Sequence, residues 1–152
     1  MCAPTGVDVE VFDACAVLPH FNPDDDHEPL PAPVLALRAS IDGADAVLCC
    51  TPEYAGTLPG SFKNRLDWTV GGTELTGKPV AWSKVAADAR RGDGAHAMLA
   101  TVLGYVQAEV VTSTCCHVPI SREMVRPDGL VTQPATREAI SQIFGAILER
   151  PR

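Results

Sequence analysis

Apolar and polar positions change pattern repeatedly along the chain and predict alternating strands and helices. Short apolar runs bounded by Gly or Pro are typical of strands, whereas apolar residues that recur every three or four positions are typical of helices. The predicted strands cover residues 7–12, 46–50, 80–83 and 109–116, and the predicted helices cover residues 33–42, 62–70, 95–106 and 134–149. Such a β-α order predicts an α/β fold, with a parallel sheet and helices on both of its faces.

The individual segments differ in character. Helix 134–149 has the clearest periodicity, and strand 109–116 is rich in β-branched residues, which favour strands. Helix 95–106 is expected to direct Met98, Leu99, Val102 and Leu103 toward the core. Ser61 is expected to cap helix 62–70, and this helix is expected to bury Phe62, Leu66 and Trp68. Segment 7–12 alternates apolar and charged residues, unlike a central parallel strand, so we expect it at a sheet edge.

Composition and charge narrow the class of protein. The chain has 152 residues, of which 46% are apolar, and it is expected to form one domain over residues 1–152. A net charge of −7 and a pI near 4.9 argue against nucleic acid or an anionic membrane as partner. No apolar stretch is long enough to span a membrane, and we expect that the first residues do not act as a signal peptide. The expected location is therefore cytoplasmic.

Six cysteines raise the question of a metal or disulfide site. Cys49-Cys50 and Cys115-Cys116 are adjacent pairs on predicted strands, where neighbouring side chains point to opposite faces. Zinc ligands are usually two to four residues apart, and the neighbouring His117 does not supply that spacing. The acidic run at residues 24–28 lacks the central Gly of a calcium loop. The sequence thus predicts no metal site and reduced, mostly buried cysteines, and it leaves open a redox role for Cys2 or Cys15.

The most informative segment lies directly after strand 46–50. Pro52, Gly56, Pro59 and Gly60 interrupt the periodic pattern there, before the next helix begins. In parallel α/β sheets, ligands bind at the turns that leave the carboxyl ends of strands. The sequence therefore predicts a rigid, open turn whose unpaired backbone groups could bind a flat heteroaromatic ligand.

Three motifs carry a resemblance to a known family. They are Thr51-Pro-Glu-Tyr54, followed by Pro-Gly, Lys-Asn and Leu-Asp-Trp68; Leu75-x-Gly-Lys-Pro-Val80; and Gly92-x-Gly-Ala95 at the start of a helix. In these residues the chain resembles the NADPH-dependent FMN reductases, which include azo, quinone and chromate reductases. The resemblance implies a flavodoxin-like doubly wound parallel sheet, FMN as cofactor and NAD(P)H as co-substrate. It also implies a small-molecule electron acceptor: a quinone, an azo compound, a metal oxyanion or a free flavin.

The resemblance also implies which residues contact the flavin. The expected cofactor-binding residues are Pro52, Glu53, Tyr54 and Ala55 at one edge of the isoalloxazine, Thr57 shaping the same turn, and Gly92 and Gly94 at the other edge. Ala55 stands where the family usually has Asn. No catalytic side chain is implied, because hydride transfer to a flavin needs no protein acid, and the Glu53 carboxylate is interpreted as solvated or at an interface. Arg90 and Arg91 are candidates for the NADPH 2′-phosphate or simply for surface solubility.

Two further expectations follow from the resemblance. Family members commonly dimerise, so a homodimer or homotetramer is expected. The helix that carries Phe62 and Trp68 is expected to lie beside the interface between subunits. Residues 1–6 correspond to the end of the family's first helix, so its first strand, Gly-Ser-x-Arg phosphate loop and first helix are missing. Without this strand the sheet would contain an open slot, and without the loop the binding of the FMN phosphate would lose several kcal/mol. Either a misplaced start codon or a decayed fragment would explain this absence. The alternative function is that of a non-catalytic remnant of the family that does not retain FMN.

Overall fold

A computed structural model describes residues 3–86 and 92–149 of the chain. Within these ranges, four strands form one sheet and four α-helices surround it. The strands are β1 (Val47–Cys50), β2 (Pro79–Val85), β3 (Glu109–Val110) and β4 (Cys116–Val118). The helices are α1 (Ala32–Gly43), α2 (Gly60–Asp67), α3 (Asp93–Tyr105) and α4 (Pro134–Leu148).

Strand β2 is the centre of the sheet, and every strand pair is parallel. β1 pairs with one edge of β2, in a register that runs from Val47 opposite Val80 to Cys50 opposite Ser83. β3 pairs with the beginning of β2 and β4 with its end, so these two short strands follow each other along the other edge. The predicted α/β class with a parallel sheet is confirmed.

The continuous strand predicted over residues 109–116 is wrong in its middle. A 3₁₀ turn, Thr112–Thr114, interrupts it, and Cys115 lies outside any strand. The Thr114 hydroxyl donates to the Val111 carbonyl oxygen at 2.8 Å, and the Thr114 backbone N–H donates to the same oxygen at 3.0 Å. These local bonds compete with strand pairing, so β-branched composition alone did not decide the conformation.

The helices cover both faces of the sheet, as predicted. Val80 and Ala81 are consecutive in β2, so their side chains point to opposite faces. Val80 packs in a cluster with residues of α2 and α3, whereas Ala81 packs in a cluster with residues of α4. The first cluster contains Phe62, Leu66, Leu99 and Leu103, and the second contains Val118, Ile143 and Ile147. Met98, expected to face inward, is instead 41% exposed.

Helix α2 begins differently from the prediction. Pro59 occupies its N-cap position and no side chain caps the helix, so the expected role of Ser61 is wrong. The predicted burial of Phe62, Leu66 and Trp68 is confirmed. Trp68 is fully buried; its indole Nε1 donates to the Pro19 carbonyl oxygen at 2.9 Å. Phe62 and Trp68 are buried inside the protomer, and the position of their helix beside a subunit interface stays a prediction.

Residues 7–12 do not form the predicted strand. Asp8 and Glu10 are exposed, Val11 is 68% exposed, and no strand pairs with this segment in the described part of the chain. The alternating pattern was suited to a strand, but a strand also requires a neighbouring chain within hydrogen-bonding distance. Residues 6–12 and β1 instead both line a groove of about 760 Å³. None of the helices in the described ranges has the length and apolar character needed to cross a membrane.

Candidate functional site

The turn after β1 is tight and closed by its own backbone. Tyr54 and Thr57 exchange two backbone hydrogen bonds, each 3.0 Å long, around Ala55 and Gly56. Ala55 has φ of 51° and Gly56 has φ of 76°, so both central residues are left-handed, as in the type I′ turns of hairpins. The predicted turn is thus present, and it places Ala55 in a conformation that alanine rarely adopts.

The outer surface of this turn is open to solvent. Pro52, Ala55 and Gly56 are exposed, and the Tyr54 side chain is 63% exposed. Within the described ranges, the backbone N–H groups of Ala55 and Gly56 have no hydrogen-bond partner. Two exposed amides beside an exposed aromatic ring match the requirements of a flat ligand with acceptor atoms along its edge.

Glu53 joins this turn to the beginning of α3. Its carboxylate Oε2 accepts hydrogen bonds from the backbone N–H of Gly94 at 2.8 Å and of Ala95 at 3.2 Å. The first amides of a helix have no partner within the helix, and a carboxylate is a favourable cap for them. The half-exposed Glu53 carboxylate therefore caps α3, a contact that the interpretation as a solvated or interface group did not include.

Gly94 allows the two segments to touch. A Cβ at this position would lie 2.1 Å from the carbonyl oxygen of Gly56, a distance that no side chain tolerates. Gly92, the N-cap of α3, has φ of 94°, in the region that favours glycine. The structure thus brings the two groups of candidate residues, 52–57 and 92–94, into direct contact at the carboxyl end of the sheet.

A small charged and aromatic cluster adjoins this contact. Lys84 at the end of β2 pairs with Asp93, and the ammonium group holds the pKa of that carboxyl below its usual range. The His96 ring lies against Trp82, with ring centroids 5.9 Å apart. Burial, followed by the positive charge of Lys84, lowers the pKa of His96. No sequence motif indicates this cluster, because its members come from separate segments.

The other candidate residues are two arginines and the cysteines. Arg90 and Arg91 lie outside the described residues, as does Cys2. Cys49 is buried but Cys50 is exposed, so the expected burial of the cysteines is confirmed for Cys49 and wrong for Cys50. Burial raises the pKa of the Cys49 thiol to about 12 and also raises the pKa of Cys50. Within residues 3–86 and 92–149, no group of three or more His, Cys, Asp or Glu side chains is arranged to hold a metal ion.

Comparison with known proteins supplies independent evidence. The family model described as NADPH-dependent FMN reductase matches residues 1–122. An NADPH azoreductase from Bacillus sp. (strain OY1-2) is 35% identical over 114 residues, which are 72% of this chain and 63% of the azoreductase. A quinone reductase from Escherichia coli (strain K12) is 38% identical over 81 residues, 51% of this chain and 43% of that enzyme. The chain thus spans less than two thirds of the length of these relatives.

Solved structures agree with the sequence comparison. FerB, a flavoenzyme NAD(P)H:(acceptor) oxidoreductase from Paracoccus denitrificans, superposes with a TM-score of 0.73 and 30% identity, covering 88% of this chain and 74% of FerB. An oxidoreductase from Corynebacterium diphtheriae, 22% identical with a TM-score of 0.58, shares the fold. The sheet, the motifs and these matches together show that the chain belongs to the NADPH-dependent FMN reductase family and has its flavodoxin-like fold.

Proposed function

We propose that the protein is an FMN-dependent NAD(P)H oxidoreductase that passes a hydride from NAD(P)H, through FMN, to a small-molecule acceptor. The observation that carries this proposal is the contact between residues 52–57 and Gly94, which brings the two candidate flavin-binding segments together at the carboxyl end of the sheet. FMN supplies the redox chemistry when bound, because its ring accepts a hydride and releases the electrons to a second substrate. The proposed acceptors are a quinone, an azo compound, a metal oxyanion or a free flavin.

The protein's contribution in this proposal is to bind and orient the ring rather than to donate protons. The exposed N–H groups of Ala55 and Gly56 would donate to acceptor atoms on the ring edge, and backbone donors there favour the negative charge that arrives with a hydride. The exposed Tyr54 ring would cover part of the bound substrate. The Glu53 carboxylate would cap the first amides of α3 rather than contact the flavin. Pro52 and Thr57 would fix the shape of the turn.

A glycine substitution tests whether the contact forms the cofactor site. Gly94→Ala places a methyl group against the Gly56 carbonyl, so the turn must move away from α3. We expect FMN affinity to fall about tenfold or more, which corresponds to about 1.4 kcal/mol. The matched control is Gly104→Ala on the same helix, where nothing lies within 4 Å of the added carbon. FMN binding is measured by quenching of flavin fluorescence, and circular dichroism confirms that each variant is folded.

Activity is tested separately from binding. Anaerobic addition of NADH or NADPH should bleach the absorbance of the bound flavin, and a quinone or an azo dye should restore it. Saturable FMN binding without bleaching would contradict the oxidoreductase assignment. If the folded wild-type chain shows no saturable FMN binding at all, the proposal fails and the alternative, a non-catalytic member that does not retain FMN, is supported.

The assembly and location belong to the same proposal. We propose a homodimer or homotetramer in the cytoplasm, formed by one flavodoxin-like domain per chain. In this proposal the helix that carries Phe62 and Trp68 lies beside the interface, with both of these side chains buried inside the protomer. Light scattering during size-exclusion chromatography measures the mass directly, and a monomer at micromolar concentration would contradict this part of the proposal.

A further inference from the structure

Lys84 at the end of β2 contacts the beginning of α3 in two ways. Its Nζ donates a hydrogen bond to the carboxylate of Asp93, the first residue of the helix. Its aliphatic part lies against Gly92, the N-cap residue, because a Cβ at Gly92 would be 3.0 Å from Lys84 Cδ and 3.1 Å from Lys84 Cγ. One side chain of the central strand therefore holds two consecutive residues at the start of α3.

The two members of the ion pair differ strongly in exposure. The Lys84 side chain is 13% exposed, whereas the Asp93 side chain is 72% exposed. Lysine is rarely shielded from water unless it is paired, because its ammonium group is strongly hydrated. An ion pair with an exposed partner adds little to stability. The contact therefore fixes the geometry at the start of α3 more than it stabilises the fold.

The residues that Lys84 holds are directly joined to the contact between α3 and the turn. Gly92 is left-handed, with φ of 94°, and two residues later Gly94 lies against the Gly56 carbonyl. Consecutive Cα atoms are about 3.8 Å apart, so a displacement of residues 92–93 must also move Gly94. Lys84 thus restrains both of the glycines that are expected at the flavin edge.

A second charged side chain holds the next part of the same helical turn. The Glu53 carboxylate accepts hydrogen bonds from the backbone N–H groups of Gly94 and Ala95. A cation from β2 and an anion from the turn therefore fix the four consecutive residues 92–95 from two separate elements. Binding to a segment that is already ordered does not have to supply the entropy cost of ordering it. A segment held in this way is suited to contact a rigid ring.

We propose that Lys84 is a positioning residue of the cofactor site, which holds residues 92–94 in the orientation that meets the flavin ring. It acts through Gly92 and Asp93 and does not contact the reacting atoms. This inference rests on the proposed function, because the orientation of these residues affects a flavin only if one binds there. Lys84 lies outside the three sequence motifs, so its role depends on the tertiary structure.

The test compares variants of the 152-residue chain in titrations with FMN and with riboflavin, which lacks the phosphate and therefore reports on the ring alone. Lys84→Met removes the ammonium group and keeps an unbranched side chain against Gly92, whereas Asp93→Asn removes a charge at an exposed position. We expect each variant to bind both flavins about fivefold more weakly, and the double variant to lose no more than about a further twofold, since both changes remove one contact. Lys84→Arg should bind within about twofold of the wild type, because a guanidinium group also pairs with a carboxylate.

A matched control and two further measurements separate positioning from a general loss of structure. The control is Lys63→Met, which removes the ion pair of Lys63 with Asp67 on α2 and should leave flavin affinity unchanged. The visible circular dichroism of the bound flavin, which reports on the groups around the ring, should change in Lys84→Met and Asp93→Asn but not in Lys63→Met. Thermal unfolding of Asp93→Asn should occur within about 2 °C of the wild type, so its weaker binding does not come from unfolding.

Two results would overturn the role of Lys84 and leave the proposed function intact. The first is equal flavin affinity in the wild type, Lys84→Met and Asp93→Asn. The second is a loss of affinity that Lys84→Arg also shows, or that Lys63→Met shows to the same extent. If Lys84→Met does not fold, the affinity of Asp93→Asn decides the question. A folded wild-type chain that binds neither FMN nor riboflavin would overturn the proposed function and this inference together.

Discussion

The Glu53 carboxylate offers the most direct test of how the site is assembled. It accepts two backbone hydrogen bonds at the first turn of α3, from Gly94 and Ala95. Replacing a capping side chain by alanine costs about 0.5–2 kcal/mol, and a hydrogen bond to a charged group contributes about 1.5–3 kcal/mol. Because Glu53 is partly exposed, solvent screening reduces both contributions. We expect Glu53→Ala to lower the free energy of unfolding by about 2 kcal/mol.

The assay is thermal unfolding followed by circular dichroism, without any cofactor. For a domain of this size, a loss of about 2 kcal/mol lowers Tm by about 4–8 °C. Glu53→Gln keeps an acceptor oxygen but loses the charge, so its Tm should lie between those of the wild type and Glu53→Ala. Glu53→Asp keeps the charge on a shorter side chain and should resemble Glu53→Ala. The control is Glu149→Gln at the exposed end of α4, which should change stability by no more than about 0.5 kcal/mol.

A local measurement distinguishes the cap from a general loss of stability. In Glu53→Ala, hydrogen exchange at the Gly94 and Ala95 amides should accelerate more than exchange at buried positions later in α3, such as Leu103. If Glu53→Ala melts within about 1 °C of the wild type, or if exchange accelerates equally along the helix, the reasoning about Glu53 is refuted.

Three further predictions concern other parts of the structure. Ala55→Asn should raise Tm by about 1–2 °C, because Asn tolerates the left-handed conformation found at Ala55. The control Ala97→Asn, at an exposed position within α3, should lower Tm slightly, and Tm changes of the same sign in both variants would contradict this. Burial lowers the pKa of His96 below its usual 6.5, so protonation favours the unfolded state, and Tm should fall as the pH drops below about 6.5. In His96→Phe, Tm should fall less over the same pH range. Because its pKa is raised to about 12, Cys49 should resist alkylation at pH 8 in the native protein and should react in guanidinium. Alkylated Cys49 detected by mass spectrometry in the native protein would contradict this.

The local pattern of the sequence was sufficient for most of the helices and for two of the strands. The apolar spacing in α4 and the Pro at the start of α1 define elements that form from nearby residues, and the structure places them within one or two positions of the prediction. Consecutive residues on a strand point to opposite faces, so the opposite directions of Cys49 and Cys50 followed from sequence alone, whereas the exposure of Cys50 did not. The ordered motif around Thr51-Pro-Glu-Tyr54 was long and specific enough to indicate the family.

Contacts between distant segments were decided only by the tertiary structure. Residues 7–12 have a strand pattern but no strand, because pairing depends on a partner chain that no pattern specifies. Glu53 and Gly94 are 41 positions apart, and nothing in either segment signals that a carboxylate of one caps the helix of the other. The sequence determined which backbone conformations were favourable, whereas the fold determined which segments met, because long-range contacts depend on how the sheet and its helices pack together.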